Sequence, residues 1–403
     1  MKRPYICAVI GKNFGDEGKG LAVDYLALQA KGEPVLVVRH NGGAQSGHTV
    51  DLPQKRFVFH ELSSGSFRGA DTFWAETFYP DMYKLREEAE AFREISGYVP
   101  HIYAHPQAFV TLIDDVLLNM AAEEARGDAR HGSCGMGIYE AQCRSKAGYG
   151  ITMQELFAMD VPELIRHMQE IRKEYLQRRM SELGLLWENL SEYGELLQST
   201  EVLENVAVEI LHNLHYVKLV GDMKTFLNGY ARVIFENGQG LLLDEDNEQY
   251  APHVTASHTG LFNPCSLLSK YNMAPDEVLY VTRSYVTRHG AGPLPYECEA
   301  RELGIGKRDE TNVENPWQGS LRFAPHGSIN EFVIPVLEDL EVAQKYDMLP
   351  QYRSLMVTHL NETEQCIYTK EGKMQLNEFR KHPAIENVFN RFYASSTYYA
   401  EDI

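Results

Sequence analysis

Residues 5–10 (YICAVI) form an unbroken apolar run, and the next ten residues, GKNFGDEGKG, carry four glycines. LAVDYLALQA follows with helical spacing, and residues 35–38 (VLVV) are again wholly apolar. A short apolar run without alternation suits a strand covered on both faces. Strand, glycine loop, helix and strand in immediate succession predict a βαβ unit, and so a parallel sheet.

The rest of the chain extends this pattern. Residues 162–183 and 202–215 repeat apolar residues every three or four positions, which predicts amphipathic helices packed on a sheet. Strand-like runs return at 232–236 (RVIFE), 277–281 (EVLYV) and 355–358 (LMVT), each running into polar or glycine-rich sequence. Open parallel sheets bind ligands beyond the carboxyl ends of their strands, so these exits are where chemistry is expected. No repeat or linker interrupts the chain. The expectation is one large α/β domain over residues 1–403, with a helical excursion near 160–220.

Charge excludes some functions. With 57 Asp+Glu against 38 Lys+Arg the net charge is −19, which argues against a nucleic-acid or anionic-membrane partner. No apolar run approaches the roughly 18 residues of a membrane span, and the first is too short for a secretory signal. The six cysteines are scattered without a C-x-x-C pair, which predicts free thiols in a reducing, cytoplasmic setting. His131, Cys134 and Cys143 lack a second ligand pair of zinc-site spacing.

Five loops carry the candidate chemistry. In the first, Gly15, Gly18, Gly20 and Lys19 suit a phosphate cradle at a helix N-terminus, although the spacing departs from a Walker A loop. Asp16 and Glu17 place two carboxylates where a pure phosphate cradle would avoid them, which points to a proton or a metal. The second loop, residues 41–49 (NGGAQSGHT), offers His48 to a transferring phosphoryl group. The third is residues 132–137 (GSCGMG) and the fourth residues 235–240 (FENGQG). The acidic run after the fourth is not a calcium loop, since Gln249 stands where an EF-hand needs glycine. The fifth, residues 285–295 (YVTRHGAGPLP), reads as a rigid binding loop.

In this order and at this spacing, GDEGKG, NGGAQSGHTV, HELSSG, GSCGMGI, FENGQGLLLD and TRHGAGPLPYE resemble the adenylosuccinate synthetase family, up to about Glu297. The resemblance implies a large, mostly parallel sheet flanked by helices, of P-loop-NTPase-like type. It also implies a cytoplasmic homodimeric carbon–nitrogen ligase that joins a 6-oxopurine nucleotide to aspartate, driven by an NTP with Mg²⁺. By similarity Asp16 takes the N1 proton and, with the Gly47 carbonyl, holds the metal, while His48 stabilises phosphoryl transfer. Lys19, Gly15, Glu17, Gly18, Gly20 and Thr49 match the phosphate-binding positions. Asn41, Gln45, Ser133, Cys134, Gln239, Thr255 and Gly290 match the purine-nucleotide set, with Cys134 standing where the family usually has threonine. Arg144 matches an arginine that reaches the neighbouring subunit's nucleotide.

Two regions depart from the family. Its arginine loop for the aspartate carboxylates (TTGRPRR) is absent, leaving Thr311, Asn312 and Arg322, with Arg308 upstream, as candidates for the amino acid. The guanine-reading TKLD becomes Thr358, His359, Leu360, Asn361, and STGPDR becomes SSTYY. Asn361 offers one acceptor and one donor where aspartate offers two acceptors, which favours ATP or another donor over GTP. Two other readings stand beside the first: a ligase acting on (d)GMP, ranked lower because Asp16 is retained, and a nucleotide-binding regulator that has lost ligation.

Overall fold

The computed structural model describes residues 3–127, 132–306 and 319–403. Nine strands build the main sheet: β1 (Tyr5–Gly11), β2 (Val35–Arg39), β3 (Asp71–Trp74), β4 (Ile102–Ala104), β5 (Val217–Leu219), β6 (Arg232–Gly240), β7 (Glu277–Arg283), β8 (Tyr352–Thr358) and β9 (Arg391–Ala394). Their spatial order is β9-β8-β7-β1-β6-β2-β3-β4-β5. All eight pairings are parallel, so the sheet is parallel throughout rather than mostly so.

Burial on both faces explains the apolar central strands. In β1, Ile6, Ala8 and Ile10 face one layer, which includes Phe332, Val336 and Leu340 of the helix Ile329–Lys345. Cys7 and Val9 face the other, against Ala22, Val23 and Leu26 of α1 (Lys19–Leu28). A third apolar cluster gathers Trp74, Ile102 and Ala104 with Leu164, Met168, Val206 and Ile210, so the two helical stretches read from the sequence cover the β3–β4 side. The first runs from Val161–Ile171 through a π-helical turn at Arg172–Leu176 into Gln177–Glu182. Its start is set by Asp160, which accepts from the Glu163 N–H, with Pro162 in the first turn.

Among the described residues no helix is long and apolar enough to cross a membrane. All six cysteines are free. His48 opens a small antiparallel hairpin, His48–Leu52 with Lys55–Phe59, rather than lying in a loop.

Candidate functional site

β1, β2, β6, β7 and β8 end side by side at Gly11, Arg39, Gly240, Arg283 and Thr358, and the loops that leave them meet above the sheet edge. The first loop bends sharply, with Gly15, Asp16 and Gly18 at φ of 105, 55 and 90°. This twist sends its adjacent carboxylates in opposite directions. Glu17 is 2% exposed and accepts from the Asn13 N–H (2.8 Å) and Asn13 Nδ2 (2.7 Å). A Cβ on Gly11 would lie 2.6 Å from Glu17 Oε2 and 3.1 Å from Lys19 Nζ, so only glycine leaves room for this pair.

Burial pushes Glu17 up to about 7, against the opposing pull of Lys19 and Lys12. It also lowers Lys12 to about 8 and brings Lys19 down. Lys12 Nζ donates to Asn13 Oδ1 at 2.8 Å. Asp16 instead faces the cleft, 31% exposed, with its Oδ2 3.7 Å from His289 Nε2. From below, Thr358 Oγ1 donates to the Glu17 carbonyl at 2.9 Å, and Arg283 Nε donates to the Asp16 carbonyl.

The second loop abuts the first, because a Cβ on Gly20 would sit 2.5 Å from the Thr49 carbonyl oxygen. His48 Nδ1 lies 2.6 Å from Glu236 Oε1, at the middle of β6. Glu236 also accepts from the Ser64 N–H at 3.2 Å and from Ser64 Oγ, and Arg39 Nη1 lies 3.5 Å from its Oε2. Burial alone would raise the Glu236 carboxyl, yet His48 and Arg39 bring it down to about 2. Burial lowers His48 to about 4 despite Glu236. His48 Nε2 is buried and has no partner among the described residues.

Asn41 fixes the fourth loop. Its Oδ1 accepts from the Gly238 N–H at 2.8 Å and its Nδ2 donates to the Gly238 carbonyl at 3.2 Å. Gln239 follows at φ 53°, with Oε1 buried and unpartnered among the described residues. A Cβ on Gly240 would lie 2.8 Å from Gly15 N, so the first and fourth loops touch. One on Gly132 would lie 2.9 Å from Ala291 N, which joins the third loop to the fifth. Through His289 the fifth loop reaches Asp16, and the five loops form one continuous surface.

Several expected site residues have other work. Arg144 is 1% exposed; its Nε and Nη2 donate to Asp115 Oδ1 and Oδ2 at 2.9 and 2.8 Å, and it also donates to the carbonyls of Tyr149 and Val110. Its guanidinium is thus turned into its own chain. Arg322 is paired with Glu297 and donates to the Gly290 and Gly292 carbonyls at 3.0 and 2.8 Å, which ties down the fifth loop. Ser133 Oγ donates to Asn119 Oδ1 at 2.8 Å, Cys134 is half-buried beside it, and the Thr255 N–H donates to the Leu243 carbonyl. Gln45 folds back to accept from the Gly43 N–H, and Gly47 is exposed.

Of the three donor-base candidates, Thr358 is turned beneath the first loop. The His359 ring lies 6.2 Å from Tyr285 and 6.1 Å from Tyr398, and Asn361 is exposed. Thr311, Asn312 and Arg308, as well as His131, lie outside the described residues. The acidic run after the fourth loop is tied to His258, whose Nδ1 is 3.3 Å from Asp244 and Nε2 3.4 Å from Glu245. Sequence reasoning missed Glu236, Arg39 and Ser64 as site residues, and gave His289 no role. An acid closing the apolar run RVIF was the available signal for Glu236.

A parallel sheet whose strand exits gather buried lysines, an outward carboxylate and a carboxylate-bound histidine is an α/β protein built to hold an anion beside a proton acceptor. The adenylosuccinate synthetase family model matches residues 8–313. Adenylosuccinate synthetase of Pseudomonas aeruginosa is 30% identical over 302 residues, 72% of this chain and 64% of that protein. That of Xylella fastidiosa is 30% identical over 304 residues, 75% and 67% of the two chains. The chain thus aligns with somewhat under two thirds of the Pseudomonas protein's length. Fully ligated adenylosuccinate synthetase from Plasmodium falciparum superposes with a TM-score of 0.69 at 17% identity, covering 98% of both chains. Cyanophage S-2L succinoaminodeoxyadenylate synthetase, bound to dGMP and dATP, superposes at 0.63 and 16% identity, covering 100% of this chain and 95% of that one. The chain belongs to the adenylosuccinate synthetase family.

Proposed function

We propose that this protein is a carbon–nitrogen ligase that joins a 6-oxopurine nucleotide to aspartate through a 6-phosphoryl intermediate, at the expense of an NTP. The observation that carries this reading is the opposite placement of Asp16 and Glu17. Glu17 is buried with Lys12 and Lys19, so the cradle tolerates an internal acid, and Asp16 is left facing the cleft as a base.

Asp16 accepts the N1 proton of the purine, which raises the electron density on O6. O6 then forms a bond to the γ-phosphorus while the bond to the bridging oxygen breaks and the NDP leaves. The amine of the amino acid next bonds to C6 and loses a proton, and the C6–O bond breaks to release phosphate. Lys19 and the glycine-loop amides hold phosphate oxygens, and His48 lies beside them with Nε2 available. Holding both substrates in one cleft supplies much of the rate by positioning.

The carboxylate of Asp16 and the carbonyl of exposed Gly47 are hard oxygen donors of the kind Mg²⁺ takes, so this pair fits that ion. Held by these two residues, Mg²⁺ would supply neutralisation of phosphate charge. Gln239, Asn41 and Gly290 line the purine side. Asn361 in place of the family's aspartate favours ATP as donor. The homodimer belongs to this reading on the family resemblance, with Arg144 engaged within its own chain.

A second acceptor reading, dGMP with an adenine-nucleotide donor, draws support from the ligands of the cyanophage neighbour. Phosphate release decides among these readings. The protein is incubated with Mg²⁺, aspartate, IMP or dGMP, and ATP or GTP. Release that requires both an acceptor and aspartate supports the ligase, and the acceptor that supports it fixes the base. Release without an amino acid indicates a kinase or NTPase, and no release with any combination leaves the regulator reading.

A further inference from the structure

We infer that Glu236, held by Ser64 and Arg39, is the positioning residue of His48: it holds the imidazole through Nδ1–H and leaves Nε2 as the ring atom that meets a ligand. The inference rests on the ligase reading only for its kinetic consequence.

Two groups approach His48 Nδ1, Glu236 Oε1 at 2.6 Å and Arg39 Nη1 at 3.1 Å. They make opposite demands, since a carboxylate only accepts and a guanidinium only donates. If Nδ1 carried the lone pair, that lone pair would face a carboxylate oxygen at 2.6 Å with no proton between them. With the proton on Nδ1 this contact becomes a charge-assisted hydrogen bond. Arg39 has other acceptors: its Nη2 donates to Ser46 Oγ at 2.7 Å and the His60 carbonyl at 2.9 Å, while Nη1 lies 3.5 Å from Glu236 Oε2. The shorter contact therefore sets the tautomer.

The acceptor is itself immobilised. Glu236 is 1% exposed and stands on β6 in register with Val9 on one side and Arg39 on the other. Ser64 donates to it from both backbone and hydroxyl. Its ionised state is secured by His48 and Arg39, consistent with a carboxyl held near 2. Nothing among the described residues takes up Nε2, which is the atom left to meet a ligand. The second serine of HELSSG, Ser64, thereby has a function: it fixes the carboxylate that fixes the histidine.

The ¹⁵N spectrum of His48 in the ligand-free wild-type protein, assigned by comparison with His48→Gln, tests this directly. A protonated Nδ1 with an unprotonated Nε2 is expected, and the Nε2–H form would overturn the proposal. Glu236→Gln removes the charge at nearly constant shape. It is expected to lower kcat by about 10²- to 10⁴-fold while KM for both nucleotides stays within about twofold. An unchanged kcat, or a loss confined to KM, would contradict it. Should Glu236→Gln fail to fold, the wild-type tautomer still decides. If the wild-type protein releases no phosphate, the ligase reading fails while the tautomer remains measurable.

Discussion

Asp115 closes both carboxylate oxygens on the guanidinium of Arg144, at 2.9 Å from Nε and 2.8 Å from Nη2, inside a single chain. The two side chains are 3% and 1% exposed, so the pair is a buried ion pair tying the helix Ile138–Arg144 to the helix Ile113–Arg126. Removing one partner of such a pair leaves an uncompensated buried charge. Arg144→Ala is expected to cost about 3–5 kcal/mol in urea unfolding. Unchanged stability together with a weakened KM for nucleotide would instead put this arginine on a ligand.

The junction of the first and fourth loops gives a steric prediction. A methyl group at residue 240 would lie 2.7 Å from the Asn13 carbonyl carbon and 2.8 Å from Gly15 N, both backbone atoms that cannot turn aside. Gly240→Ala is expected to destabilise by about 1–3 kcal/mol and to weaken NTP binding through the displaced first loop. Thermal shift with and without nucleotide measures both effects. A variant that binds nucleotide as tightly as wild type would show that the loops do not depend on each other.

Asp339 carries a pH dependence of known sign. Burial pushes its carboxyl up to about 7, although the Leu261 N–H and Tyr280 OH donate to it at 2.7 and 2.8 Å. A carboxyl raised in the folded state holds its proton there after the unfolded chain has lost it. Stability is therefore lost as pH rises from about 4 to about 7, by up to about 1.4 kcal/mol per unit. Asp339→Asn keeps the shape, with Oδ1 still accepting from the Leu261 N–H and Nδ2 donating to the Tyr280 hydroxyl oxygen, and is expected to flatten this part of the stability–pH curve. An unchanged slope would mean that other groups set it.

Much of the fold was legible because burial on both faces leaves a strong mark. β1, β2, β6, β7 and β8 each contain a wholly apolar run, and each was found from it. β3, β4, β5 and β9 were not read, since strands of three or four residues such as Ile102–Ala104 and Val217–Leu219 are too short to show a period. The outward strand Lys55–Phe59 escaped because its pattern is mostly exposed.

The first loop was legible because its function is local: Asp16, Glu17 and Lys19 are neighbours in sequence. The burial of Glu17 was not, because it depends on backbone twist at Gly15 and Gly18. Pairings that cross the chain left no trace either. His48 and Glu236 stand 188 residues apart, and Arg144 matched a family position while its partner, Asp115, had no motif of its own.

Asn361 tests the donor expectation. Asn361→Asp restores two acceptors where guanine presents donors. A matched charged hydrogen bond is worth about 1.5–3 kcal/mol, so the variant is expected to use GTP relative to ATP at least about tenfold better than wild type. Steady-state phosphate release with each donor measures the ratio. Wild-type preference for GTP, or an unaltered ratio in the variant, would remove Asn361 from donor selection.

The central claim is that the 6-oxygen of the purine leaves as phosphate. The most direct measurement uses acceptor nucleotide labelled with ¹⁸O at C6, incubated with protein, Mg²⁺, aspartate and NTP, with the released phosphate read by mass spectrometry. One ¹⁸O in each phosphate is predicted. Unlabelled phosphate, formed at the same rate as product or without product, would contradict the account.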